Sequence, residues 1–323
     1  MKLNDIKEIV ACLPAGRTKF YYFKDRYALM LLRYVVGEGK AIRDLKESRF
    51  NRLLGKPMVH KVIKTAGDGR LKADTLESIW PEDYHCYRLT LGIWGDGDRD
   101  ARFYNQTSRP GWNLVLQLNF SGRHNRACYR MLKPGKPHPF HSYGHPIAGD
   151  GEHTLAWARM DMDLDTDEAL IEEIQTDWIR RALWSRKYLT AYEKRSSPKP
   201  RYVPSYVKNL GCDAKALSQY IDGTLKPHMR IWNEAMLASA IWFLKEEIGI
   251  GKIYYHTYKF GCQVKRITYS KPPRSLYTQL PDRFCFEKIN QAPAFLFRNN
   301  NRKILDLIKN HNPQFYVLDI PTG

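Results

Sequence analysis

The run from Leu170 to Ala182, LIEEIQTDWIRRA, gathers the side chains of this 323-residue chain best suited to chemistry: Glu172, Glu173, Gln175, Asp177, Arg180 and Arg181. A glutamate works as a general base when partial burial lifts its pKa towards neutrality, and Leu170, Ile174 and Trp178 flank this pair. On that reading Glu172 or Glu173 takes a proton, while Gln175 and Asp177 orient the substrate. His256, Arg180, Arg181 and Arg274 then hold a phosphate or a developing negative charge. The candidate catalytic set is therefore Glu172, Glu173, Gln175, Asp177 and His256. Further cations suited to phosphate are Arg186, Lys187, Lys199, Arg201, Lys259 and Arg266.

Two backbone forms fit the run. As a helix it carries an apolar stripe of Leu170, Ile171, Ile174, Trp178 and Ala182, with acids early and arginines late. As a strand entering a helix it turns Leu170, Glu172 and Ile174 one way and Ile171, Glu173 and Gln175 the other. Thr176 then caps a helix opening at Asp177. The second form gathers polar groups at a strand end beside a helix N-terminus, where α/β folds bind ligands.

Other constellations are weaker. Asp161, Asp163, Asp165 and Glu172 have the spacing of a calcium loop, but Thr166 stands where that loop needs glycine. His138, His141 and His145 lie close together with no Cys, Asp or Glu in the run to complete a zinc site. No metal is assigned, and no cofactor either. The common nucleotide-binding and hydrolase motifs are absent.

The elements that must position these residues change in kind along the chain. Residues 1–80 read as short helices with basic faces, in which Lys56, His60, Lys61 and Lys64 suit a helix-turn-helix contact with DNA. From about residue 83 the apolar period becomes two, giving antiparallel strands in DYHCYRLTLGIWG and WNLVLQLNFSG and a hairpin in TLAWARMDMDLDTDEALIEEIQ. A long helix over IWNEAMLASAIWFLKEE, a strand KIYYHT, a short helix, a strand RFCFEKI and a final helix and strand follow. A basic, tyrosine-bearing insertion lies near residues 185–228. The expected units are 1–80, 81–290 and 291–323.

Composition sets the partner class. The 52 Lys+Arg against 34 Asp+Glu give a formal charge of +18, which favours phosphate-bearing partners through counterion release. Basic residues interleaved with tyrosines suit a groove that tracks a nucleic-acid backbone. Six scattered cysteines without a C-x-x-C pair, and a polar N-terminal segment, point to a reducing cytoplasm with no membrane span.

The pieces TLAWARMDMD, EEIQTDW, WNEAMLASAIWFLKEE, KIYYHT and SLYTQLPDRF resemble, in this order, a family of phage and prophage proteins often embedded in large polyvalent proteins. Its members carry a Glu-Glu-Ile-Gln-Ser-Asp-Trp stretch. The resemblance covers residues 154–287 and favours the strand-then-helix form. The same order of elements resembles the core of the GNAT-type acyltransferases, which cradle a coenzyme A diphosphate in a glycine-bearing loop after the site strand. Here that loop is TDWIRRALWS, and a backbone without glycine approaches a diphosphate poorly.

These readings predict an α/β (α+β) fold: a mixed, largely antiparallel sheet with covering helices, distantly acyltransferase-like, behind a helical N-terminal unit. The expected function is a phage- or mobile-element-related protein, active in host–phage conflict, that binds nucleic acid and extends to modifying it through a transferase-like core. The alternatives are a non-catalytic nucleic-acid- or protein-binding factor and a protein-directed transferase.

Overall fold

Strands form where the apolar period is two. In the computed structural model of the protein, residues 1–12, 19–96, 106–142, 144–148, 152–194, 203–269, 271–300 and 302–320 are described. Their strands are β1 (Lys19–Tyr22), β2 (Lys40–Ala41), β3 (Arg70–Leu71), β4 (His85–Asp96) and β5 (Gly111–Asn119). The rest are β6 (Thr154–Asp163), β7 (Glu168–Gln175), β8 (Lys252–His256), β9 (Glu287–Ile289) and β10 (Phe315–Asp319). One sheet runs β1-β4-β5-β6-β7-β8-β10-β9, and β2 pairs with β3 apart from it. Neighbours in the large sheet are antiparallel except β7 and β8, which are parallel. The mixed, mostly antiparallel sheet with covering helices is the architecture the periodicity predicts.

A parallel neighbour requires a crossover, and the chain between β7 and β8 supplies it with helices. The Trp232–Trp242 helix is almost wholly buried and packs its Ala235, Met236, Leu237, Ala238 and Ile241 into the core. A helix apolar on most of its circumference suits enclosure on every side, and its buried Glu234 is met by cations. It continues as a π-helical turn, Phe243–Ile248, and ends at Gly249, whose φ of 87° is costly for any residue with a Cβ.

The strands' two faces meet different partners. Leu116, Leu118, Ala158, Met160 and Ile171 join the main cluster with the Trp232–Trp242 helix, whereas Leu170, Tyr254, Phe315 and Val317 pack against Phe260, Val264, Phe295 and Ile304 on the opposite side. The sheet is thus covered on both faces at its β8–β10 end.

The N-terminal unit departs from the all-helical expectation in holding, among the described residues, three short strands, β2 and β3 paired with each other and β1 in the large sheet. β1 hydrogen-bonds to β4 and forms the edge of the large sheet, so the boundary expected near residue 80 is bridged by sheet pairing. Strand β1 is a four-residue segment, too short for a period of two to register. Glu234, fully buried on the core helix, holds the junction. It accepts from Lys24 Nζ at 2.5 Å, from the Asp25 N–H at 3.0 Å and from Arg283 at 3.4 Å. The main cluster runs from Ile6 to Ile320 without a break. Among the described residues no helix is long and apolar enough to cross a membrane.

Candidate functional site

The opening stretch is a strand followed by a helix. β7 ends at Gln175, and Thr176 Oγ1 accepts from the Ile179 N–H to cap the Asp177–Glu193 helix. The strict alternation expected along the strand fails at one residue. The register with β6 passes from Arg159↔Glu173 to Met160↔Ile171, which leaves Glu172 as an extra residue in a β-bulge. Ile171 and Ile174 consequently both reach the main core.

The bulge coincides with the place where β7 and β8 part. Their pairing runs from Glu168↔Lys252 to Ile171↔Tyr255 and stops. Beyond it the Glu172 carbonyl would lose a ladder partner inside the protein, and the buried Lys265 ammonium donates to it instead. The Glu172 carboxylate accepts from the Ser108 N–H at 2.7 Å and the Ser108 hydroxyl at 2.9 Å, with His256 Nε2 at 3.0 Å. Ser108 Oγ also lies 3.0 Å from His256 Nε2. Ser108, Glu172 and His256 are all inaccessible to solvent.

The composition is that of a Ser-His-acid relay, but the geometry is not. A relay needs the hydroxyl and the carboxylate on opposite nitrogens of the imidazole, and here both meet Nε2. Burial pushes the Glu172 carboxyl up, yet His256, Lys265 and Arg159 outweigh it and hold it well below the usual carboxylate range. Glu173 behaves alike: burial raises its pKa, and Arg159 and Lys265 bring it below its ordinary value. The expectation that flanking apolar residues would lift these carboxyls towards neutrality is therefore corrected, because each glutamate has buried cations at hand. Lys265 is lowered, first by its own burial, with both glutamates pulling it back up.

Arg159 stands opposite Glu173 in the register. Its Nη2 donates to Glu173 at 2.5 Å and to the Gln106 carbonyl at 2.9 Å, and its guanidinium lies over the Trp94 ring at 5.1 Å. Its Nε and Nη1 are buried without a hydrogen-bond partner among the described residues.

At the strand's C-terminal end Asp177 gathers donors. His145 Nδ1 is 2.7 Å away, Gln175 Nε2 3.0 Å and Trp157 Nε1 3.2 Å, and Arg180 closes the set. Burial raises the Asp177 carboxyl, and His145 and then Arg180 bring it below its ordinary value. The helix N-terminus, the natural seat for a bound anion, thus already holds the chain's own carboxylate.

The sequence candidates divide accordingly. Glu172 and His256 come together in the gap between β7 and β8, and Glu173 turns to Arg159 on β6. Gln175, Asp177 and Arg180 come together at the strand end. Arg181 turns to the His141 carbonyl and Ser142 and lies over Tyr206, and Arg186 pairs with Asp222 at 3.0 Å. Lys187 is exposed on the same helix. Lys259, Arg266 and Arg274 are exposed on a different surface, and Lys199 and Arg201 lie outside the described residues.

His138 and His141 stack at 4.1 Å between ring centroids, His145 serves Asp177, and no group of three or more His, Cys, Asp or Glu among the described residues is placed to hold a metal. Sequence reasoning missed Ser108, Arg159, Trp157 and Lys265. A lone arginine inside the apolar run TLAWARM was the available signal for Arg159. The others had none, because they meet the site only through the fold. No protein-family model matches the chain, and neither a curated protein nor a solved structure matches it.

Proposed function

We propose that the protein binds nucleic acid, and that the segment from Tyr258 to Arg274 is the surface that follows a single strand. One observation carries this reading. The run YKFGCQVKRITYSKPPR contains Lys259, Lys265, Arg266, Lys271 and Arg274 and no aspartate or glutamate. Lys265 turns inward to the glutamates, while Lys259, Arg266, Lys271 and Arg274 are exposed. Tyr269 is 86% exposed, and Arg274 lies 5.0 Å over the Tyr258 ring. Exposed cations neutralise phosphates and exposed rings stack on bases, the pairing that suits single strands of any sequence.

The arginines of the Asp177–Glu193 helix contribute less, since Arg180 and Arg186 are paired with Asp177 and Asp222. Binding of a single-stranded oligonucleotide, followed by fluorescence anisotropy, tests the proposal. Affinity should fall steeply with salt. The triple change Lys259→Glu, Arg266→Glu, Arg274→Glu should weaken it at least about tenfold and flatten the log–log salt slope by about 2. A wild-type affinity indifferent to salt would remove the reading.

A second reading, a transferase, is favoured by the strand order and by the parting of β7 from β8 after Ile171, which resemble the GNAT-type core. Against a coenzyme A diphosphate stands Asp177 at the helix N-terminus. Thermal unfolding with millimolar coenzyme A decides it, and an unchanged Tm counts against this second reading.

A further inference from the structure

The basic helices ahead of the sheet carry an unused surface, and we propose that it binds duplex DNA by laying the Pro57–Thr65 helix in the major groove. This rests on the nucleic-acid reading only in its ligand class, since it uses a different surface and a duplex rather than a single strand.

Residues 40–72 hold ten Lys or Arg against Asp44, Glu47 and Asp68. Within the Pro57–Thr65 helix, Met58, Val59 and Val62 are buried, which fixes its rotation. Pro57, His60, Lys61 and Lys64, at i, i+3, i+4 and i+7, therefore form one exposed stripe that contains no acid. A helix with its side chains is about 10–12 Å across and the major groove is about 12 Å wide, so the exposed face of this nine-residue helix can enter it.

Two short helical segments lead into the proposed reading helix, in the chain order of a helix-turn-helix unit. The segments Ile42–Lys46 and Asn51–Leu54 precede the proposed reading helix, and the Arg26–Val36 helix packs against Asn51–Leu54 and Pro57–Thr65, with Leu29, Leu32 and Val36 in the main core. β2 and β3 pair Lys40 with Leu71 and Ala41 with Arg70, closing the unit and leaving Arg70 exposed beyond the helix's end. An open groove of about 720 Å³ runs between the segments and the reading helix, with Lys46 and His60 on its walls.

Other cations of the unit anchor it. Lys56 lies 3.3 Å from Asp25 and over the Tyr27 ring at 5.7 Å, so it positions the helix start and does not reach outward as the sequence suggested. Arg49 and Arg52 pair with Glu287 and Asp282, holding the unit to the C-terminal part of the chain.

The test compares the full chain with a Lys61→Glu/Lys64→Glu variant on a mixed-sequence duplex, scored by anisotropy against salt. A Lys215→Glu/Lys226→Glu variant, exposed and remote from the unit, makes the same change in net charge. The first should lose at least about tenfold in duplex affinity and flatten the salt slope by about 2, and the second should not. Equal losses in both variants would assign the effect to net charge and overturn the proposal. So would an unchanged affinity in the first, or the absence of duplex binding by the wild type. A single-stranded probe run alongside distinguishes that failure from failure of the Tyr258–Arg274 surface. Circular dichroism of both variants establishes that the comparison is between folded proteins.

Discussion

Glu172 carries more of the site than any other residue, because its side chain and its carbonyl both answer buried donors. Replacing it with glutamine leaves Lys265 and Arg159 with one carboxylate fewer, and stability should drop by about 3 kcal/mol, read from the urea midpoint. The pH dependence gives a second signature. A carboxylate whose folded pKa lies below the unfolded value stabilises fully above about pH 4.3 and loses that contribution as pH falls. The wild type should therefore weaken between about pH 5 and 3 more steeply than Glu172→Gln, and parallel profiles would refute the assignment. Nearby, a Cβ added at Gly261 would stand 2.9 Å from the His256 Cβ. Gly261→Ala should cost about 1–3 kcal/mol by overpacking, although alanine ordinarily favours a helix. Gly223→Ala, which meets nothing within 4 Å, should be neutral or stabilising.

Among the elements, the Gly122–Leu132 and Asp177–Glu193 helices are joined through a layer of neutral histidines. His124 stacks on Phe120 at 3.6 Å and lies 5.3 Å from His228, and His153 lies 4.6 Å from Trp178. Burial depresses all of them, His124 to about 4, His141 and His153 to about 3 and His228 to about 2. For a histidine the unfolded value is about 6.5, so between the two values only the unfolded chain takes the proton. Stability should begin to fall below about pH 6.5 and keep falling to about pH 4 for His124 and to about pH 3 or 2 for the others, by about 2 kcal/mol per such histidine at pH 5. Chemical denaturation across that range measures it, and a level profile from pH 7 to 5 would contradict the layer's neutral state. This loss begins above the window of Glu172 and overlaps it below about pH 5, so the comparison with Glu172→Gln, in which the histidines are unchanged, separates the two.

For the molecule as a whole, the unbroken cluster from Ile6 to Ile320 predicts one unfolding transition. Calorimetric and van't Hoff enthalpies should agree, and two resolved transitions would show that the N-terminal unit is thermodynamically separate. A chain truncated to residues 81–323 should fail to fold stably, because it exposes the β4 edge and leaves Glu234 with only Arg283 of its three partners. The charge of +18 acts at this scale too. The exposed cations from Lys259 to Arg274 and those of the Pro57–Thr65 helix give it two surfaces on which to act.

The order of strands and helices was legible because it rests on local physics: the period of two in WNLVLQLNF, the helical spacing in IWNEAMLASAIWF and Gly249 at its end. So was the strand-to-helix turn at Thr176, once neighbouring elements were weighed with it. Glu172 and His256, both among the sequence candidates, lie 3.0 Å apart. What the sequence by itself determined was therefore the period, the caps and the excess of positive charge. The tertiary structure alone decided the bulge that sets Glu172 out of register, and the arrival of Ser108, Arg159 and Lys265 from distant segments. It also decided which cations are consumed internally and which remain outside. The reason is that a pKa or a free charge depends on what lies within a few ångströms, and those neighbours are distant in sequence, Ser108 and His256 by 148 residues and Lys24 and Glu234 by 210.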